Sequence, residues 1–163
     1  MKIKIRKAEL KDLSQIVKIL AGDKLGKFRE EFAEPLPVNY TNAFEKIDAN
    51  PSQILLVAEG ETGQVVGTMQ LSFIQYLTYR GGLRAQAEAV FVREDCRGKG
   101  VGSRLMKYAI EQSMQRGAHL LQLTTDKQRP EAVKFYEKLG FKASHEGMKL
   151  HFKLSNDIIR SVK

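Results

Sequence analysis

Apolar and polar residues alternate with two different periods along this chain, and each change of period marks a boundary. Residues 2–7, Lys-Ile-Lys-Ile-Arg-Lys, alternate strictly and predict a strand. Leu10, Leu13, Ile16, Val17 and Leu20 then recur at helical spacing, and Gly22 and Gly26 end that helix. No period holds from Asp23 to Pro37, where Phe28, Phe32, Pro35 and Pro37 predict irregular chain. A short helix over Tyr40–Asp48 closes at Asn50-Pro51, because a proline keeps the residue before it out of helical backbone. Gln53–Glu59 and Gln64–Tyr76 predict strands joined by the turn Gly60-Glu61-Thr62-Gly63. Thr78–Gly82 predicts a loop and Leu83–Val92 another strand. A glycine turn follows, then a helix to about Arg116, a strand over Leu120–Thr124 and a helix over Pro130–Lys138. Pro130 suits a helix start and Gly140 a helix stop. Phe141–Ser144 and Met148–Leu154 predict a last pair of strands. The order predicts one α/β (α+β) domain over residues 1–154, a mixed, mostly antiparallel sheet flanked by helices. Residues 155–163 form a tail whose Ile158-Ile159 docks on a partner or frays.

The glycine turn carries the strongest chemical signal. Arg97-Gly98-Lys99-Gly100-Val101-Gly102 lies between an apolar strand and the helix beginning Ser103-Arg104-Leu105-Met106. A strand that turns through glycines into a helix aims bare N–H groups at one spot, and the helix dipole makes that spot a seat for an anion. Three readings compete. A phosphate loop of the Walker type needs Ser or Thr after Gly-Lys, and Gly100 stands there. A dinucleotide fold places its glycines early and an acidic residue after the next strand. Here they come two-thirds of the way along, although Asp126 does follow the strand Leu120–Thr124, so the spacing leaves that reading open.

The third reading covers more of the chain. Arg97-x-x-Gly100-x-Gly102 after Val90-Phe91-Val92 resembles the acyl-CoA pyrophosphate loop of the GNAT superfamily of N-acetyltransferases. Some thirty residues later, Ala132-x-x-Phe135-Tyr136-x-x-x-Gly140-Phe141 is similar to the second hallmark of that superfamily. The resemblance is strongest from Ala87 to Phe141 and implies the GNAT fold with acetyl-CoA as acyl donor. The diphosphate would then be held by Arg97, Gly98, Lys99, Gly100, Val101 and Gly102, with Ser103 and Arg104 at the helix start. Main-chain groups of Phe91 and Val92 would pair with the pantetheine arm. Tyr136 would be the general acid beside the departing sulfur, since a phenol of ordinary pKa, about 10, stays protonated at neutral pH. Glu88 is the candidate base, a carboxylate in the apolar run Ala87-Glu88-Ala89-Val90. Alternation puts Glu88 and Val90 on one face, Ala89 and Phe91 on the other. An ion pair with Arg84, or plain exposure, is the competing account of Glu88.

Two positions depart from the superfamily pattern: Glu94 stands near a common proline, and Arg129 stands where an Asn is usual. The stretch Thr124–Arg129 resembles the aminoalkylphosphonate N-acetyltransferase branch. On that resemblance Arg129, with Arg80 or Arg84, would bind an anionic group of the acceptor, because guanidinium suits phosphonate and carboxylate.

Composition narrows the alternatives. The chain has 163 residues, 42% apolar and 28% charged, which suits one globular domain. No apolar run approaches the roughly 20 residues of a bilayer span, and residues 1–7 lack the apolar block of a secretory signal. A single cysteine, Cys96, allows no intrachain disulfide, so a cytoplasmic setting without membrane attachment is expected. The formal charge of +8 attracts anions, but no like-charge block or aromatic-interleaved basic stripe predicts a nucleic-acid partner. His119, His145 and His151 lack metal-ligand spacing, so no metal is expected. Met106 and Met114 are expected to fill the core. The leading expectation is direct acetyl transfer to a small-molecule amine in a ternary complex. The alternatives are a protein N-terminal or lysine acetyltransferase and a non-catalytic acyl-CoA sensor. An exposed sheet edge or the tail would make a homodimer unsurprising.

Overall fold

A computed structural model describes residues 2–152, which form two compact units, one ending at Gln122 and the other starting at Leu123. The tail at 155–163, with Ile158-Ile159, lies outside the described residues. Strands β1 (Lys4–Lys7), β2 (Gln53–Glu59), β3 (Val65–Gln75), β4 (Leu83–Val92) and β5 (Ala118–Leu123) form one sheet in chain order. The first four pair antiparallel. Two contacts fix the direction of β5. His119 Nδ1 lies 2.8 Å from the Leu83 carbonyl, and Gln122 Nε2 donates to Gln86 Oε1 at 2.8 Å. Advancing three residues on β4 advances three on β5, so these two strands run parallel and the sheet is mixed.

The connection between them is α4 (Val101–Gln115), as a parallel crossover requires. Before the sheet's second strand come α1 (Leu13–Ala21), preceded by a 3₁₀ turn at Leu10–Asp12, and α2 (Val38–Asp48). The helix predicted from Leu10 therefore starts tightly wound and relaxes. Between β3 and β4 lies α3 (Thr78–Gly81), one turn whose Tyr79 (φ 55°) and Arg80 (φ 58°) are left-handed.

Register shows what each face of the sheet buries. Leu56 pairs with Met69, and Leu71 with Ala87; these side chains are buried on one face. On β3 and β4 lies α4, whose buried stripe steps by fours through Val101, Leu105, Ala109 and Ser113, with Met106 beside it. Met114, expected in the core, falls off that stripe and is 72% exposed. A second cluster joins Leu13, Ile16, Val17 and Ile19 of α1, Phe44 of α2, and Val57 and Val65 of the sheet, with Phe91 packed against it.

The segment predicted to be irregular, 23–37, is nonetheless anchored. Asp23 is 4% exposed, and its carboxylate accepts from the amides of Leu25 (3.1 Å) and Gly26 (3.4 Å). Tyr40 pins the far side, its hydroxyl donating to Glu30 at 3.0 Å and accepting from the Glu31 amide at 2.9 Å. Gly26 permits the tight return, because a Cβ there would lie 1.9 Å from the Leu20 carbonyl oxygen. Gly26→Ala must push backbone away from backbone. It is expected to cost about 2–3 kcal/mol, read as a lower urea midpoint at unchanged m-value.

In the second unit α5 spans Pro130–Lys138, as predicted. The expected strand pair is not formed: the described chain from 141 to 152 has no strand. Met148, Leu150 and Phe152 alternate as a strand would, at 95%, 80% and 73% exposure. An alternating pattern becomes a strand only where a neighbour supplies N–H and C=O partners, and among the described residues of this unit no strand does so.

Candidate active site

The glycine turn has the geometry the sequence implied. A short 3₁₀ turn, Glu94–Cys96, leads out of β4, and Gly98 (φ 73°) and Gly100 (φ 81°) then reverse the chain. Both conformations are left-handed, and a Cβ at either would meet nothing within 4 Å, so the outer side of the bend is open. Gly100 is the N-cap of α4, and no side chain caps the helix. The first amides of α4 therefore face outward without a side-chain acceptor, beside the positive end of a 15-residue helix dipole. Gly67 of β3 lets the helix sit close: a Cβ there would lie 3.0 Å from Val101 and 3.1 Å from the Phe91 carbonyl.

The turn's basic side chains are not equivalent. Arg97 reaches back, its Nε 3.3 Å from the Val92 carbonyl and its Nη2 3.7 Å from the buried Asp23 carboxylate. Arg104 donates to the Ile3 carbonyl at 3.2 Å. Lys99 stands exposed, and Ser103 is half-buried. Arg97 and Arg104 thus brace the bend, leaving main-chain amides as its principal anion donors. Cys96 is 3% exposed beneath the bend, 3.5 Å from Arg93, which is paired with Asp95 at 2.6 Å.

Strand β4 corrects one expectation. Gln70 pairs with Glu88 but Thr68 pairs with Phe91, so three steps on β4 match two on β3. The extra residue is a bulge marked by Ala89 at φ 50°. Thr68 and Gln70 share a face, so Glu88 and Phe91 share it too, where simple alternation placed them on opposite faces. Glu88 is exposed and accepts from Gln86 Nε2 at 2.5 Å. Gln86 is in turn held by Gln122 at 2.8 Å. The Glu88 carboxylate is thus aimed by an amide relay, its hydrogen-bond partner being Gln86 rather than the Arg84 considered from sequence. Val92, on the far side of the bulge, pairs with Gly67.

Residues 18–141 match the acetyltransferase (GNAT) family. The chain belongs to that family. It is accordingly an acyltransferase enzyme, with a mixed, mostly antiparallel sheet flanked by helices. It is 30% identical over 146 residues to an L-methionine sulfoximine/L-methionine sulfone acetyltransferase of Pseudomonas paraeruginosa, covering 88% of this chain and 83% of that one. An aminoalkylphosphonate N-acetyltransferase of Salmonella typhimurium is 34% identical over 83 residues, 51% of this chain and 53% of its own. A crystal structure of a Bacillus halodurans C-125 protein described as a transcriptional regulator is 50% identical, with a TM-score of 0.91 over 93% of this chain and 100% of that one.

The remaining site residues of this GNAT chain fall into two groups. Arg80 and Arg84 stand at the β3–β4 end, with Arg84, Gln86 and Glu88 on one face of β4 ahead of the bulge. Arg84 lies over two aromatic rings, 4.5 Å from the Tyr76 centroid and 5.3 Å from that of Tyr79. Arg129 and Tyr136 belong to the second unit. Arg129 is the N-cap of α5, and its amide donates to the Asp126 carbonyl at 2.9 Å. Tyr136 is half-buried between ring edges, 5.1 Å from Phe135 and 5.8 Å from Phe141. The Phe141 amide donates to the Tyr136 carbonyl at 3.1 Å, which ties the Gly140-Phe141 end of the second motif back onto the helix. Sequence reasoning missed Asp23 and Gln122 as supports, since neither carries a local signal for a partner more than thirty residues away.

Proposed function

We propose that this chain transfers an acetyl group from acetyl-CoA to a primary amine of a small molecule, directly and in a ternary complex. One observation carries the donor half: an uncapped helix start behind two left-handed glycines with open space on their outer side. Gly98 to Ser103 would hold the diphosphate through main-chain amides, with Lys99 adding charge. Arg97 and Arg104 would keep the bend in shape. Amides near Phe91 and Val92 would polarise the thioester carbonyl.

Glu88 would take the proton from the ammonium, directly or through water, so that the nitrogen lone pair attacks the thioester carbon. The carbon–sulfur bond then breaks, and the thiolate takes its proton from Tyr136. The small-molecule acceptor is supported by relatives whose names specify methionine sulfoximine and aminoalkylphosphonates. Arg80, Arg84 and Arg129 are the side chains offered to it.

The test is thiol release from acetyl-CoA against a panel of amines, with peptides bearing free N-termini or lysines as a second arm. Small amines are expected to release thiol at least tenfold faster than peptides per kcat/KM, about 1.4 kcal/mol in the barrier. Faster release with peptides would move the acceptor to proteins. Coenzyme binding with no release from any amine would overturn the transfer reading.

A further inference from the structure

The end of the β3–β4 hairpin holds an anomaly at Arg84. Among the described residues, Arg84 Nε is the buried side-chain nitrogen left without a hydrogen-bond partner. A buried donor without a partner is costly, and native structures keep few of them. Its surroundings are built rather than loose. The guanidinium lies over the Tyr76 and Tyr79 rings, 4.5 and 5.3 Å from their centroids, while the residue as a whole stays partly exposed, so the group is held by stacking rather than by hydrogen bonds at Nε. Tyr79 is itself held: it stacks on His119 at 4.5 Å between centroids, and His119 Nδ1 donates to the Leu83 carbonyl. Gln75 closes the turn by donating to the Gly81 carbonyl at 2.7 Å, with Tyr79 and Arg80 kept left-handed. Two non-glycine residues in that conformation are strained, and strain of this kind gathers at ligand sites.

Arg84 and Glu88 lie on the same face of β4, four residues apart and ahead of the bulge, which is about 13 Å along a strand. The amine is the end of the acceptor that Glu88 serves. We infer that the partly exposed guanidinium of Arg84, stacked on Tyr76 and Tyr79, binds an oxyanion at the far end of the acceptor. The acceptor is then an amine joined to a carboxylate or phosphonate through a chain of several bonds, rather than an α-amino acid. The inference rests on the amine-transfer reading. Arg80, on an exposed turn, and Arg129, in the other unit, are not needed for it.

The experiment compares glycine, γ-aminobutanoate, ε-aminocaproate and ω-aminooctanoate with hexylamine, in the parent and in Arg84→Gln and Arg84→Lys. In the parent, kcat/KM should rise from glycine to the longer acids, and ε-aminocaproate should exceed hexylamine by about 10- to 100-fold. Arg84→Gln should erase that advantage through KM, lowering kcat/KM for ε-aminocaproate at least tenfold more than for hexylamine. Arg84→Lys, which keeps the charge but loses the fork, should retain part of it and guards against a folding defect in the first variant. Glycine as the best acid, or equal losses for ε-aminocaproate and hexylamine in Arg84→Gln, would overturn the inference.

A turnover-free arm separates the two readings: adipate titrated into the protein, followed by NMR of the His119 ring. Saturable shifts in the parent that vanish in Arg84→Gln support the site even if no amine is acetylated, in which case the transfer reading alone falls. Absence of those shifts in a parent that turns amines over removes the site and leaves the transfer reading standing.

Discussion

A Tyr136→Phe enzyme should turn over about 10²- to 10³-fold more slowly than the parent while binding acetyl-CoA almost as well. The substitution removes one oxygen and leaves the ring, so the edge contacts with Phe135 and Phe141 persist and α5 keeps its packing. On the proposed mechanism, the loss that matters is the proton for the departing thiolate. A thiol of ordinary acidity leaves as an anion less readily than as a neutral molecule, so the loss should fall on kcat. Steady-state thiol release with a good amine measures kcat, and calorimetry with the coenzyme measures donor binding. Thioesters of more acidic thiols should narrow the gap, because a better leaving group needs less help. A variant that keeps the parent rate would remove Tyr136 as the acid and leave it a packing residue.

The largest stability effect is expected at Asp12, far from any chemistry. Asp12 is 2% exposed and accepts from both terminal nitrogens of Arg6, at 2.6 and 3.0 Å, and from the Glu9 amide at 2.8 Å. Arg6 also donates through Nε to Glu59 at 2.6 Å, so one guanidinium joins β1, β2 and the turn before α1. Asp12→Ala strands a largely buried cation with a single carboxylate. Breaking such a pair costs about 3–5 kcal/mol, which in a domain of this size lowers Tm by about 10 °C.

The pH dependence has a definite sign. Burial pushes the Asp12 pKa up, but the Arg6 fork and the Glu9 amide outweigh it, and the carboxyl ends below its usual range. The folded pKa is thus below the unfolded one. The pair's contribution is whole above about pH 4 and is lost as pH falls through the lower, folded value. Urea midpoints between pH 7 and pH 3 should fall for the parent and fall less for Asp12→Asn. Parallel curves would show that Asp12 is not the titrating group.

Much of this architecture was legible because period and place agree. Strands β2, β3 and β4 sit within a residue or two of their expected limits, because their apolar residues alternate over two buried faces. The glycine turn was readable because a left-handed bend and an open approach both demand glycine. Where local pattern and distant partner part company, the reading failed. The bulge at Ala89 has no glycine to announce it, and an extra residue is visible only by counting against β3. Met114 has the right chemistry, but the buried stripe passes through Ser113, whose hydroxyl is satisfied by the Ala109 carbonyl at 2.6 Å. Glu88 and Tyr136 could be nominated from sequence, whereas the relay through Gln86 to Gln122 needs two strands brought together first. The clamp around Arg84 joins residues from 76 to 119 and likewise exists only after folding.

The supernumerary residue at Ala89 also bears on how this lineage can change. A contact can weaken by degrees as side chains are exchanged, but the number of residues between Leu83 and Val92 changes only in whole steps. A descendant that lost one would turn Phe91 away from the cluster it packs against, or move Glu88 to the opposite face of the strand, with nothing in between. The length of that interval is therefore inherited as an all-or-none character. Among divergent chains, it should track shared acceptor geometry more faithfully than the identity of any single residue within it.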